Sequence, residues 1–372
     1  MKKILQINKY FPPHIGGVES VVELYADHLS FHNQVRVLVC NDSTGISTYV
    51  ARRKRYPVII CKTLFIIKKL PISLAFIVNY FRFLHWADVI HIHEPFPLGS
   101  ILVMLCSRKK KIFITWHSDI VSQKILGILI KPIQNIILQK SNLIMTTSEN
   151  LARFSPQLSR FRSKVEVLPL SINTFVNANS NNFDLSEISS ELVNLSSFCF
   201  TFGRLSYYKG IDVLVKAYVD HGESLPPLVI AGKGQMSALI IEAKKLIPEK
   251  IIFIPRHLTE NEKNALLDKC SFFVFPSTHV SEAFGITQLE AMLHAKAVIN
   301  TLLPTGVPWV SIDGLTGLTV PVGDSKKLAD AIYRLHKDEV LRNDYGKAAR
   351  ARVFDQFSDQ IVLNKLSDFY SM

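Results

Sequence analysis

Along the first half of the chain, short apolar runs alternate with stretches whose apolar residues recur at helical spacing. Runs at 4–7, 35–39, 58–65, 89–92, 112–115, 143–146 and 165–168 predict strands, and stretches at 18–29, 73–84 and 125–138 predict helices between several of them. Such alternation predicts right-handed βαβ units and a parallel sheet covered on both faces. The texture changes near 171–197. Asn173, Asn177, Asn179, Asn181, Asn182 and several serines make a polar stretch there, with a short helical piece at 185–195. We read 173–196 as a linker.

A second alternating series follows. Strands are predicted at 198–202, 228–231, 251–254, 272–275 and 297–300, with helices at 211–218, 237–246 and 260–269, another opening at Gly285, and a helical tail at 326–336, 339–354 and 360–369. The pattern therefore predicts α/β architecture: one doubly wound domain over 1–172 and a second over 197–355. Ligands of such sheets sit outside the carboxyl ends of the strands, so chemistry is expected in the loops that follow them.

Composition agrees with this picture. A chain of 372 residues is too long for one core, and 48% hydrophobic residues with a mean hydropathy of +0.20 exclude a disordered chain. Five cysteines, mostly inside apolar runs and without a CxxC pair, are expected to be free buried thiols of a reducing cytosol. Residues 1–8 read as a first strand and not as a signal peptide. The most apolar long window, 64–84, is interrupted by Lys68, Lys69, Pro71 and Arg82, which argues for a soluble or peripheral protein.

Charge changes the picture more. The net +12 lies wholly in the first half: residues 1–172 hold 23 Lys and Arg against 9 Asp and Glu, and residues 173–372 hold 20 against 22. A solvated basic surface is the plain reading. The sharper one is that the first domain approaches an anionic partner.

Four loops carry candidate chemistry. After the first strand, Gly16-Gly17 precede a helix and suit close backbone approach to a phosphate or substrate, though without GxGxxG spacing. After the strand at 112–115 stands His117, placed to meet a substrate hydroxyl or oxygen. His91 and His93 have HxH spacing but no third ligand at a persuasive distance, so a metal is not expected; an acceptor-facing role is open to His93 or Glu94. After the strand at 198–202, Gly203-Arg204-Leu205 through Lys209-Gly210 supplies two cations, as a diphosphate leaving group needs. The fourth loop holds Glu282, Gly285 at a helix start and Glu290 one turn inside that helix. Two carboxylates beside a helix N-terminus suit a phosphate that carries sugar hydroxyls.

These motifs, in this order and over nearly the whole chain, resemble the retaining glycosyltransferases of family 4, also called group 1, and among them the mannosyltransferases of O-antigen assembly. The segment Glu282-Ala-Phe-Gly285 through Glu290 matches that family's two glutamates with seven residues between them. The resemblance implies the GT-B fold: two Rossmann-like domains, an inter-domain cleft, and a C-terminal helix, about 356–372, crossing back to the first domain. It implies that Arg204 and Lys209 stabilise a departing nucleoside diphosphate, that Glu282 binds hydroxyls of the transferred sugar, and that Glu290 binds the ribose. Backbone N–H groups near Gly285, Ile286 and Thr287 would meet the phosphates, Gly203 would take part in donor binding, Gly16-Gly17 would let the first domain close on the diphosphate and the acceptor, and His117 would contact the donor sugar. The sequence departs from the family where Trp116 precedes His117, and where 301–313 lacks the frequent Gly-Gly-x-x-Glu; Thr305-Gly306-Val307 stands there instead.

No Asp-x-Asp occurs, so no metal cofactor is expected. The expected donor is a nucleoside-diphosphate sugar, GDP-mannose by preference, with UDP-hexoses open. The expected acceptor is a polyprenyl-diphosphate-linked glycan of a surface polysaccharide such as an LPS O-antigen. The basic first domain, with its segments 65–70 and 77–84, would sit on an anionic membrane surface, at the cytoplasmic face of the inner membrane. Nucleic acid is the rejected partner, because no binding motif accompanies the charge. The rivals to a transferase are a non-catalytic nucleotide-sugar-binding protein at the membrane and, more distantly, a sugar-nucleotide epimerase.

Overall fold

The structure is a computed structural model that describes residues 1–14, 16–67, 70–106, 109–120, 124–175, 183–193 and 195–371, with backbone only at 124–129. The chain divides into two compact units: Met1–Pro169 with Leu363–Met372, and Leu170–Val362.

In the first unit an eight-stranded sheet comprises β1 (Lys3–Ile7), β2 (Gln34–Thr44), β3 (Tyr49–Arg52), β4 (Pro57–Thr63), then, past a separate hairpin of β5 (Phe65–Ile67) and β6 (Leu70–Ile72), β7 (Val89–Glu94), β8 (Lys111–Trp116), β9 (Leu143–Thr146) and β10 (Val165–Val167). Its order is β10-β9-β8-β7-β1-β2-β4-β3, parallel throughout except for β3. The helices are α1 (Gly17–Leu29), α2 (Leu74–Leu84), α3 (Pro97–Met104), α4 (Lys124–Lys140) and α5 (Glu149–Phe154). Chain order reverses at β1, which lies between β2 and β7, so a crevice is expected beyond the carboxyl ends of β1 and β7. The sheet is packed on apolar side chains such as Leu5, Leu38, Ile90, Ile114 and Trp116.

Sequence periodicity placed most of these elements and misread one stretch. Residues 58–65 read as a single strand, but β4 ends at Thr63 and Phe65 starts the hairpin, because the chain turns at Leu64 and Ser73 caps α2 by accepting from the Phe76 amide. The edge strand β3 and helices α3 and α5 have no clear period in the sequence. Lys68, Lys69 and Asn177 to Asn182 lie outside the described residues.

The second unit repeats the plan with β11 (Cys199–Phe202), α6 (Ile211–His221), β12 (Leu228–Ala231), α7 (Ser237–Leu246), β13 (Ile251–Ile254), α8 (Glu260–Lys269), β14 (Phe272–Val274), α9 (Ile286–Leu293), β15 (Val298–Thr301), α10 (Val307–Val310), β16 (Gly317–Val320), α11 (Ser325–Lys337) and α12 (Glu339–Arg352). Its six strands, all parallel, run β13-β12-β11-β14-β15-β16. Alternate residues of each strand feed two cores, Phe200 and Phe273 on one face, Phe272 and Val274 on the other. Order reverses between β11 and β14, and the loops after those strands are the two in which the sequence placed its cations and carboxylates. Among its described residues the piece at 185–195 forms two 3₁₀ turns, Leu185–Glu187 and Ser190–Leu192, and no α-helix. The final helix, α13 (Asp359–Ser371), ends among the residues of the first unit. All five cysteines are free and buried.

Candidate active site

Two glycines explain how the second unit assembles its site. Gly210, in the left-handed region at φ 67°, precedes α6, and a Cβ there would stand 1.9 Å from the Pro276 carbonyl oxygen. The loop after β11 therefore lies flat on the loop after β14, and the Thr278 amide donates to the Tyr208 carbonyl at 2.9 Å. This zipper sets Lys209 Nζ 2.6 Å from Glu282 Oε2, with both side chains largely buried. Lys209 also lies over the Phe275 ring at 4.8 Å, and Ser277 Oγ donates to Glu282 at 3.4 Å. The glycines of the next loop, Gly232 and Gly234, make their close approach to the backbone of Gly203 and Leu205.

Gly285 is the second. At φ 80° it heads α9, and a Cβ would meet the Phe275 ring at 2.6 Å. The first amides of α9, at Ile286 and Thr287, thus open toward the same loops. Thr287 Oγ1 is buried and has no hydrogen-bond partner among the described residues. One turn on, Glu290 Oε1 lies 2.5 Å from Lys263 Nζ of α8, at a cavity of about 250 Å³ that Asn173, Asn264 and His294 help to line. Burial pushes the Glu290 carboxyl above its ordinary range, against the pull of Lys263. For Lys263 burial works downward, but Glu290 and Glu260 outweigh it and the ammonium is held above its ordinary value.

A buried polar frame holds α9 in place. Asn300 Nδ2 donates to Gln288 Oε1 at 3.0 Å and to the carbonyls of Val307 and Ser311, and its Oδ1 accepts from Thr319 at 2.7 Å. Gln288 in turn donates to the carbonyls of Phe284 and Val307. The Gly306 amide donates to the Ala283 carbonyl at 2.8 Å, so Thr305-Gly306-Val307 lies beside the Glu282 loop. Arg204 is exposed, and among the described residues its guanidinium makes no ion pair. The structure thus joins Lys209 to Glu282, carries Thr287 and Glu290 on the helix that Gly285 heads, with Glu290 paired to Lys263, and places Gly203 and Arg204 at the start of the loop that holds Lys209.

The first unit holds a separate group. Gly16 and Gly17 stand at the N-terminus of α1, but Gly16 is extended at φ −171°, a conformation open to any residue. The space beside Gly16 is filled by the Glu19 carboxylate, and that beside Gly17 is open. His117 follows β8, its amide bonded to the Glu94 carbonyl at 3.0 Å. Trp116 is buried and ties Asp119 down through its indole N–H at 2.9 Å. Glu94 accepts from the Phe96 amide, Ser100 and Gln134 and is fully buried, so it anchors the start of α3 rather than facing an acceptor. His93 and His117 join through Nδ1 and Nε2 at 3.0 Å. Burial pushes the His117 ring down to about 3 and His91 to about 3, so all three imidazoles stay neutral near pH 7.

The sequence matches Glycosyltransferase Family 4 over residues 15–174 and Glycosyl transferases group 1 over residues 189–352. The chain is a group 1 glycosyltransferase. The transferase is 29% identical to the O-antigen chain mannosyltransferase C of Escherichia coli, over 99% of this chain and 98% of that one. It is 28% identical to the D-rhamnosyltransferase WbpZ of Pseudomonas aeruginosa, over 94% and 90%. Its fold is GT-B, shared with sucrose-phosphate synthase of Thermosynechococcus elongatus (TM-score 0.77, 18% identity, 100% and 98% covered) and with Anabaena HepE solved with UDP and glucose (TM-score 0.72, 18% identity, both fully covered).

Sequence reasoning missed Lys263, because an ion pair between neighbouring helices leaves no local pattern. It also missed Asn300 and Gln288. Their one signal was polarity inside otherwise apolar elements: both are buried in a glycosyltransferase core that tolerates such groups only when bonded.

Proposed function

We propose that this glycosyltransferase moves a hexose, mannose from GDP-mannose by preference, to a polyprenyl-diphosphate-linked glycan in the synthesis of a surface polysaccharide such as an O-antigen. The observation that carries it is the charge-balanced Lys209–Glu282 pair at the head of α9, which offers a cation to a diphosphate and a carboxylate to sugar hydroxyls at one point. Similarity to an O-antigen mannosyltransferase over essentially full length supports mannose.

In this reading Lys209 and Arg204, without a divalent ion, compensate the charge that grows on the leaving diphosphate. The amides of Ile286 and Thr287 and the Thr287 hydroxyl receive its oxygens. Glu282 holds hydroxyls of the sugar, Glu290 the ribose, and Gly203, Gly16 and Gly17 give room for the phosphates. His117 meets the donor sugar. The bond from the anomeric carbon to the phosphate oxygen breaks, the acceptor oxygen bonds on the same face, and its proton passes to the departing phosphate. The exposed apolar residues of the β5–β6 hairpin and α2 suit a peripheral position on an anionic cytoplasmic membrane face. Among the described residues no helix is long and apolar enough to cross a membrane.

A panel of nucleoside diphosphates tests the donor by thermal shift. GDP is expected to raise Tm, and release of GDP from GDP-mannose without acceptor is expected to follow. A shift by UDP alone would favour a UDP-hexose, the reading that the UDP-bound relative HepE supports. Binding without any release would favour a non-catalytic protein, and no shift by any diphosphate overturns the proposal.

A further inference from the structure

Three histidines stand in a row in the first unit. On β7 the rings of His91 and His93 stack at 4.5 Å, and His93 lies nearly parallel to His117 at 5.3 Å. His91 has partners on both nitrogens, Thr115 Oγ1 at 2.7 Å and the Tyr370 hydroxyl at 2.8 Å. His93 has one. Its Nδ1 meets His117 Nε2, and its Nε2 is buried with no hydrogen-bond partner among the described residues.

This arrangement decides where the protons sit. A bond between two neutral imidazoles needs one N–H and one bare nitrogen. If His93 carried its proton on Nε2, that N–H would be buried without an acceptor, and orphaned buried N–H groups are rarer than under-used acceptors. With the proton on Nδ1, His93 donates to His117 and leaves only a lone pair unused. His117 Nε2 is then the acceptor, and the His117 proton must be on Nδ1. His117 is also the least buried of the three, at 6% exposed against 0% and 1%.

We propose that His93 is a positioning residue that holds His117 as its Nδ1–H tautomer, so that the end of β8 presents a neutral N–H donor to an oxygen of the bound sugar donor. The inference deepens the role given to His117 above and rests on it. It adds a restriction: with Nε2 engaged and Nδ1 protonated, His117 is no base for the acceptor hydroxyl. That proton has to leave by another route, in keeping with transfer to the departing phosphate.

The test is ¹⁵N NMR of the imidazoles in the full-length protein, with His117 assigned by substitution. The expected spectrum shows His117 Nδ1 as the protonated nitrogen and Nε2 as the bare one. His93→Leu removes the donor and is expected to turn His117 toward Nε2–H and to lower kcat at least about tenfold, the effect of weakening one placed donor, with KM for the sugar donor little changed. His93→Asn, whose amide can donate from the Nδ1 position, is expected to keep the tautomer and recover most of the lost turnover. A wild-type spectrum with His117 as Nε2–H overturns the proposal, whatever the kinetics and whether or not His93→Leu folds. The expected tautomers together with unaltered turnover in His93→Leu would leave the lock standing and overturn the role of His117 toward the sugar.

Discussion

Lys209 Nζ and Glu282 Oε2 are 2.6 Å apart, so the cation that the proposed function assigns to a phosphate is balanced by the carboxylate that it assigns to a sugar. In the proposed function a bound diphosphate would compete for Lys209, and sugar hydroxyls would replace it on Glu282. Lys209→Ala and Glu282→Ala are each expected to lower kcat by about 10²-fold or more. The double variant should lose much less than the product of the two, because each single change leaves a stranded charge. Glu282→Ala should keep part of its nucleotide affinity by calorimetry. Wild-type turnover in both single variants would refute the assignment.

Glu290 should act in binding. Glu290→Ala is expected to weaken nucleoside diphosphate binding about tenfold or more, the worth of a hydrogen bond to a charged group. Lys263→Met removes the ammonium that opposes the burial-raised carboxyl, so the Glu290 pKa rises further. Titration calorimetry at pH 8 and pH 6 should then show affinity falling with pH more steeply in Lys263→Met than in wild type.

The buried histidines make stability depend on pH. His91 and His117 are pushed down to about 3 and His93 in the same direction, so between about pH 3 and the ordinary value of 6.5 the unfolded chain binds protons that the folded one does not. Stability therefore rises with pH across that window and falls on acidification, by up to about 1.4 kcal/mol per pH unit for each ring. Urea unfolding at pH 7 and pH 5.5 should show the loss, and His91→Phe should reduce it.

Asn300 makes four side-chain hydrogen bonds in the interior of the second unit. Asn300→Leu takes a partner from the Ser311 carbonyl, from Gln288 Oε1 and from the Thr319 hydroxyl, while the Val307 carbonyl keeps Gln288 as its donor. It is expected to cost about 2–4 kcal/mol in urea unfolding, and nucleotide-induced stabilisation should shrink because α9 loses its brace.

Leu74, Val78 and Phe81 fall on one stripe of α2 and are exposed, as is Phe65 in the hairpin. Val78→Glu should leave the fold intact and reduce co-flotation with anionic vesicles at low salt. Unchanged flotation would remove this surface from the membrane reading.

Much of the fold was legible because parallel strands buried on both faces are short apolar runs, as Phe272–Val274 is, and because Gly285 marks a helix start that only a residue comfortable at positive φ can occupy. The site's carboxylates and cations were legible as types at strand ends. Their partners were not. The bond from His93 to His117 and the pair of Lys263 with Glu290 join residues 24 and 27 positions apart, on elements whose register only folding sets. The hairpin of β5 and β6 stayed hidden because its apolar residues continue the run of β4 while facing solvent.

The bond from the Thr278 amide to the Tyr208 carbonyl, with Gly210 seated on Pro276, also bears on how such enzymes can be recombined. Apart from the glycine at 210, backbone contacts of this kind do not depend on side-chain identity, yet they tolerate no change in loop length on either side. A chimera that imports residues 203–210 from a relative inherits a working Lys209–Glu282 geometry only if residues 276–285 come with it. The two segments, far apart in sequence, are one cassette for exchange.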